Sequence, residues 1–173
     1  MRRRLTRWLP LIVLVIVAGV GAAMAAGAAT KAGASTVRTG TTKTFGTVLV
    51  GPHGHTLYRF TPDKKGGAST CTATCLTHWP KLTVKAGTKP TAAGGASASL
   101  VGTIKAGHGM AQVTYAGYPL YYFAGDKSAG QTGGQDVQKS WFVVNTKGAL
   151  VKSAVKTPSQ TSTSTSSSGG GWG

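Results

Sequence analysis

Short runs of apolar and β-branched residues alternate with glycine-rich turns from Thr44 to about residue 152. Strands joined by such turns are typical of antiparallel hairpins. Three hairpins are predicted, over residues 47–60, 112–123 and 141–151, with weaker strands at 82–84 and 100–104. Beyond the N-terminal leader, no segment carries the sustained 3.6-residue apolar period of an amphipathic helix. The pattern therefore predicts a small all-β antiparallel domain over residues 44–152.

One motif occurs twice in this domain. Residues 57–63 read LYRFTPD and residues 120–126 read LYYFAGD, so the two copies lie 63 positions apart. They share a leucine, a tyrosine, a phenylalanine and an aspartate. Because the chain has only three acids, a chance match of Asp63 with Asp126 is improbable. A repeat of this kind marks a duplicated structural unit, so the Y-x-F-x-x-D motif predicts two pseudo-repeated hairpin units.

The motif also predicts an aromatic face. Residues two apart in a strand point to the same side of the sheet. Tyr58 and Phe60 should therefore share one face with Arg59 on the other, and Tyr121 and Phe123 should share a face in the second copy. A face of tyrosine and phenylalanine suits the interior of a small sheet that packs on another layer. We therefore expect these four rings to be largely buried.

The two motif aspartates allow two interpretations. Asp63 and Asp126 each follow the motif phenylalanine by three residues, in a segment rich in turn residues. An aspartate in such a segment commonly accepts hydrogen bonds from backbone N–H groups and fixes the turn. Alternatively, the repeat brings the two carboxylates together across a pseudo-twofold axis. There they would bind a cation or perform acid/base catalysis, as in a hydrolase.

The two ends of the chain are predicted to lie outside the domain. Residues 1–28 combine four arginines, an apolar run and small residues at the cleavage positions, which is the pattern of a secretory signal peptide and its helix. The apolar run is also just long enough for an uncleaved membrane anchor. Residues 29–43 are predicted to form a flexible spacer, and residues 153–173 a disordered Ser/Thr/Gly-rich tail. The protein is thus predicted to be secreted or extracytoplasmic, or membrane-anchored through its leader.

Charge narrows the choice of partners. From Lys31 onward the chain has fifteen basic residues against three acids, a net charge of +12. The lysines are scattered rather than clustered with aromatic residues along one groove, which argues against a nucleic-acid site. For an exported chain, the expected electrostatic partners are anionic envelope polymers or lipids, attracted through the summed positive field.

The cysteines also allow two hypotheses. Cys71 and Cys75 predict one local disulfide, because exported chains oxidise paired cysteines and positions four apart in a helical turn can be bridged. In that case no metal site and no cofactor are predicted. The alternative is a copper or redox accessory protein that uses the two cysteines as soft ligands. Further candidate ligands for it are His53, His55, His78, His108 and Met110.

These segments resemble a bacterial family. LYRFTPD, CTATCLTHWP, QVTYAGYPLYYFAGD and WFVV are similar to secreted repeat proteins with a Y-x-[FWY]-x-x-D motif, many of them predicted lipoproteins of unknown function. The resemblance spans roughly residues 44–152. The chain lacks the lipid-attachment cysteine of many relatives and has His108-Gly109-Met110 where an acid is usual. The residues that the resemblance marks are Tyr58, Phe60, Asp63, Cys71, Cys75, Trp79, Pro80, Tyr121, Phe123, Asp126 and Trp141.

The function predicted from these features is that of an exported cell-envelope binding or structural module. The sequence has no glycine-rich phosphate loop and no G-x-S-x-G nucleophile elbow, so an enzyme is not predicted. Trp79 and Trp141 are expected to be structural aromatic residues. The copper or redox protein and the hydrolase that uses Asp63 and Asp126 are the alternatives.

Overall fold

The computed structural model describes residues 36–155. The signal peptide or anchor predicted over residues 1–28 lies outside the described residues, as do most of the predicted spacer and the tail from residue 156 onward. The strands are β1 (Arg38–Thr42), β2 (Gly46–Val50), β3 (Tyr58–Phe60), β4 (Thr83–Lys85), β5 (Val101–Gly107), β6 (Met110–Tyr115), β7 (Tyr118–Pro119) and β8 (Trp141–Val143). One short helix, α1 (Thr74–His78), and two 3₁₀ turns, Ala98–Leu100 and Val137–Lys139, lie between them. Within residues 36–155, no helix is both long enough and apolar enough to cross a membrane.

The named strands pair in antiparallel fashion throughout. β1 pairs with β2, β3 pairs with β8, and β6 pairs with β4, β5 and β7. β6 and β7 form a hairpin around Ala116-Gly117, whose φ angles are 52° and 83°. Two positive φ angles give a turn that matches the twist of a hairpin. The prediction of a small all-β antiparallel domain is confirmed.

β1 lies inside the segment that was predicted to be a flexible spacer. It pairs along its whole length with β2, and Val37, just before it, is fully buried. The folded domain therefore begins near Thr36, and the boundary predicted at Thr44 is wrong. The strand escaped prediction because its sequence, RTGTT, has no apolar alternation. Backbone hydrogen bonds, rather than a buried apolar face, hold it to β2.

The two repeats exchange their last strands. We define repeat 1 as residues 37–85 and repeat 2 as residues 100–151. β4, at the end of repeat 1, pairs with β6 of repeat 2, while β8, near the end of repeat 2, pairs with β3 of repeat 1. The exchange is reciprocal: Leu49 N donates to Val144 O at 2.8 Å, and Val113 N donates to Leu82 O at 2.8 Å. Each repeat therefore depends on the other for a strand of its sheet.

The core consists of two apolar clusters, and both draw side chains from both repeats. One is formed by Val37, Leu49, Leu57, Leu82, Val113, Tyr115, Leu120 and Val144. The other is formed by Val48, Val50, Tyr58, Cys71, Trp79, Tyr121, Trp141 and Val143. Phe60 and Phe123 border the second cluster but are only partly buried. The two phenylalanines are therefore less completely buried than the motif tyrosines.

Candidate functional site

Tyr58 and Tyr121, the tyrosines of the two motif copies, pair with each other between the repeats. Tyr58 N donates to Tyr121 O at 2.8 Å, and Tyr121 N donates to Tyr58 O at 3.0 Å. Two residues that exchange both hydrogen bonds form the hydrogen-bonded pair of an antiparallel ladder. Interchanging the two residues interchanges the two bonds, so the pair marks a pseudo-twofold axis. Both side chains are fully buried.

Each tyrosine hydroxyl reaches the aspartate of the other motif copy. Tyr58 Oη donates to Asp126 Oδ2 at 2.6 Å, and Tyr121 Oη donates to Asp63 Oδ2 at 2.5 Å. The two aspartates are 4% and 7% exposed. A carboxylate removed from water is unfavourable unless it is hydrogen-bonded. Each repeat therefore needs the tyrosine of the other to satisfy its own acid.

The second oxygen of each carboxylate holds a turn in its own repeat. Asp63 Oδ1 accepts from Thr70 N at 2.7 Å and from Thr70 Oγ1 at 2.6 Å. Asp126 Oδ1 accepts from Gly133 N at 2.8 Å. In both copies the donor follows the aspartate by seven residues. The two carboxylates thus bind two separate turns and two separate tyrosines, which is the geometry expected of turn-fixing aspartates.

The environment keeps the two tyrosines protonated. Burial raises the pKa of Tyr58 and of Tyr121 far above the usual tyrosine value, and the hydrogen bond that each donates to a carboxylate raises the pKa further. Burial also raises the pKa of the adjacent Tyr122 to about 12. Because only the neutral hydroxyl can donate to a carboxylate, both crossed hydrogen bonds persist at neutral pH.

Four aromatic rings stack across the same axis, in the order Phe60, Trp141, Trp79 and Phe123. The two indoles are parallel within 1°, with ring centroids 3.7 Å apart. Phe60 stacks on Trp141 at 4.3 Å, and Phe123 lies tilted on Trp79 at 4.7 Å. Each phenylalanine thus covers the tryptophan of the other repeat. Because the phenylalanines are the two ends of the stack, they are only partly buried, while both tryptophans are buried.

A groove of about 540 Å³ opens beside this stack. α1 borders it on the side of repeat 1 and the 3₁₀ turn Val137–Lys139 on the side of repeat 2, so the two repeats contribute equivalent elements. We call it the aromatic groove. Its lining residues are Phe60, Thr74, Cys75, His78, Trp79, Phe123, Val137, Gln138 and Trp141.

Cys71 and Cys75 form the predicted disulfide, with their Cα atoms 5.4 Å apart. Cys71 is buried in the second apolar cluster, and Cys75 lines the aromatic groove. The bridge therefore ties α1 to the buried end of the loop that precedes it. Bridged sulfurs are not thiolates, and the thiolate is the form of cysteine that binds metals.

The histidine and methionine candidates lie at three separate places. His53 and His55 are in the loop between β2 and β3, beside a second groove that also includes Asp126. His78 ends α1, and His108 lies in the β5–β6 turn near Met110. Between residues 36 and 155, no group of three or more His, Cys, Asp or Glu side chains is placed to hold a metal ion.

Three features of the contacts between the two repeats were not predicted from the sequence. They are the turn donors Thr70 and Gly133, the stacking of Trp79 on Trp141, and the crossing of the tyrosines. A signal existed for the first two. Thr70 and Gly133 lie 63 positions apart, like the motif copies, and the two tryptophans lie 62 apart. Extending the repeat register beyond the motif identifies both as equivalent pairs. The crossing has no such signal. A tyrosine that binds the aspartate of its own motif copy and one that binds the aspartate of the other copy are both compatible with the same repeat spacing.

The crossed hydrogen bonds can be tested with double-mutant cycles. Tyr58→Phe should reduce the free energy of unfolding by about 1–3 kcal/mol, because it leaves a buried carboxylate oxygen of Asp126 without its donor. In combination with Asp126→Asn, the cycle should show a coupling of about 0.5–3 kcal/mol, as expected for groups in contact. Urea unfolding of the four proteins measures it.

The control cycle pairs Tyr58→Phe with Asp63→Asn, which belong to the same motif copy but share no hydrogen bond. These two changes should add within about 0.5 kcal/mol. A larger coupling in this control than in the Tyr58–Asp126 cycle would mean that the tyrosines do not cross between the repeats.

Stability should also fall at alkaline pH. A tyrosine whose pKa is raised by folding contributes stability below the unfolded-state pKa of about 10 and loses it as the pH rises further. Tyr58, Tyr121 and Tyr122 should each add a slope of about 1.4 kcal/mol per pH unit above pH 10. Urea unfolding between about pH 8 and pH 12 measures this slope. Tyr58→Phe should reduce it, and a slope unchanged in this variant would contradict the assignment.

The internal duplication agrees with a comparison to known families. The model of a family described as a secreted repeat of unknown function matches the chain twice, at residues 40–83 and 102–145. Together the matches cover just over half of the chain, and each contains one copy of the Y-x-F-x-x-D motif. No curated protein and no solved structure gives a significant match. The chain therefore belongs to the family of secreted repeats of unknown function.

Proposed function

We propose that this protein is an exported module that binds anionic material of the cell envelope through its positively charged surface. The observation that supports the proposal is that none of the three acids lies free on the surface of the described residues. Asp63 and Asp126 are buried and bound by tyrosine hydroxyls. Asp136, which is partly exposed, is paired with Lys139. The acids therefore do little to offset the positive charge that the lysines give to the surface.

The salt-bridge pattern supports the same view. The pair between Lys139 and Asp136 is the one ion pair within the described part of the chain. The other lysines of residues 36–155 have no carboxylate partner, so their charges add to a field that attracts polyanions. An envelope protein meets such polyanions as wall polymers and as lipid headgroups.

The buried residues of the module hold the two repeats together. The motif tyrosines, the motif aspartates and the two tryptophans contact each other across the pseudo-twofold axis. Their role in this proposal is to make one rigid unit from two repeats, and the binding chemistry lies on the outside. That division of roles suits a binding module better than a hydrolase built on Asp63 and Asp126, since each carboxylate already has a structural partner at both oxygens.

Binding as a function of salt tests the proposal. The chain without its leader should bind vesicles that contain an anionic phospholipid, or an isolated anionic wall polymer. Affinity should fall steeply between about 0.1 M and about 1 M salt, because the Debye length falls from about 10 Å to about 3 Å. Co-sedimentation at several salt concentrations measures the slope.

Vesicles of neutral lipid are the matched control and should bind weakly at every salt concentration. Protein with acetylated lysines should lose the binding, because acetylation removes the charge. Binding that is insensitive to salt and equal on neutral and anionic surfaces would overturn the proposal and direct attention to the aromatic groove.

A further inference from the structure

Arg59 is held in place by both an aromatic ring and a backbone carbonyl group. It lies on the face of β3 opposite the buried tyrosine, and only part of its side chain is exposed. Its guanidinium carbon lies 3.4 Å from the centre of the Tyr118 ring, and Arg59 Nη1 donates to Gly148 O at 2.7 Å. An arginine fixed by stacking loses little freedom when it binds an oxyanion, and its planar fork matches phosphate geometry.

Three lysines lie on or against segments that neighbour Arg59. The stem of Lys65 lies against Gly117, the residue before Tyr118. Lys147 is exposed on the turn that ends at Gly148, whose carbonyl oxygen binds Arg59. Lys152 Nζ lies 5.7 Å from the ring centre of Phe142, the cross-strand partner of Arg59. We call this set, Arg59, Lys65, Lys147 and Lys152, the Arg59 patch.

We infer that the Arg59 patch is the place where the module binds phosphate groups of an anionic envelope polymer. This inference rests on the proposed function and assigns it a position. Arg59 binds one phosphate through the terminal N–H groups that do not bind Gly148, and the lysines neutralise the neighbouring phosphates of the same polymer. Four cations carried separately by β3, two turns and the segment after β8 match a repeating anion better than they match a single small one.

A polymer is favoured over a membrane by the surface around the patch. Peripheral attachment to a bilayer combines basic residues with apolar side chains that enter the headgroup region. The exposed large apolar side chains of the described residues are Met110 and Val155. Neither belongs to the patch: Met110 begins β6, and Val155 N is bonded to Thr44 O. The Arg59 patch thus offers charge without an apolar anchor.

The test uses short inorganic polyphosphate as the probe and the chain without its leader. Lys65→Gln and Lys147→Gln change exposed residues and should not disturb the fold. Together with Arg59→Gln, they should weaken polyphosphate binding roughly tenfold or more at about 0.1 M salt, because charge-assisted hydrogen bonds are lost. Arg59→Lys should restore only part of the affinity, because a lysine cannot present the planar fork.

The matched control is the double variant Lys85→Gln and Lys105→Gln. These lysines pair with Met110 and Ala111 at the start of β6. The other end of β6 is Tyr115, which pairs with Tyr118, the residue that stacks on Arg59. The two ends of the strand are about 17 Å apart. The control should change the affinity less than about twofold, as distant surface charges do when salt screens them. A thermal melt of each variant shows whether Arg59→Gln unfolds the protein, in which case the lysine variants alone decide.

The outcomes separate the two proposals. If the unmodified protein binds neither polyphosphate nor anionic vesicles, the proposed function fails. If it binds with the expected salt dependence but the control variant weakens binding as much as Lys65→Gln and Lys147→Gln do, the function stands and the Arg59 patch is wrong. The protein could also bind vesicles more tightly than polyphosphate and lose that binding in the patch variants. This result would mean that the ligand of the Arg59 patch is a membrane and not a polymer.

Discussion

The fold depends on two buried carboxylates, one in each repeat. Neither repeat alone supplies all the hydrogen-bond donors that its carboxylate needs. Asp63 and Asp126 are largely shielded from water, and each accepts a hydrogen bond from the tyrosine hydroxyl of the other repeat. Removing one repeat would leave the acid of the other without that donor, which carries a larger penalty than the net gain of an ordinary hydrogen bond. The exchange of last strands and the stacked tryptophans act in the same direction. Together they make two similar sequences into one domain.

The same arrangement connects the core to the surface. In a chain with three acids, using two of them inside the domain leaves a surface on which lysine and arginine dominate. In the proposed function, a basic surface of this kind attracts polyanions. The repeated Y-x-F-x-x-D motif therefore has a structural role, and in the proposed function it contributes indirectly, because it removes two negative charges from the surface. The Arg59 patch is the position where backbone and aromatic contacts orient that charge.

Local features were predictable from the sequence and long-range ones were not. The hairpin around Ala116-Gly117 and the disulfide between Cys71 and Cys75 follow from residues close together in the chain. β1 was missed because a strand of threonine and glycine carries no apolar pattern. The partial exposure of Phe60 was not predicted. The alternation of side chains along a strand indicates which face of the sheet a residue lies on, but not that its ring is the outermost one of an aromatic stack. The crossing of the repeats depends on contacts between residues about 60 positions apart, and one sequence carries no signal for them.

The interdependence of the two repeats is tested most directly by dividing the chain between them. Residues 36–95 and residues 96–155 separate at Gly95, in the loop between β4 and β5. Each half should lack the near-ultraviolet circular dichroism of packed tryptophans, because each lacks the strand, the tyrosine and the indole that the other supplies. An equimolar mixture should recover the spectrum and the melting transition of the intact domain as a one-to-one complex. A half that folds alone as a monomer with the native tryptophan signal would show that the repeats do not depend on each other.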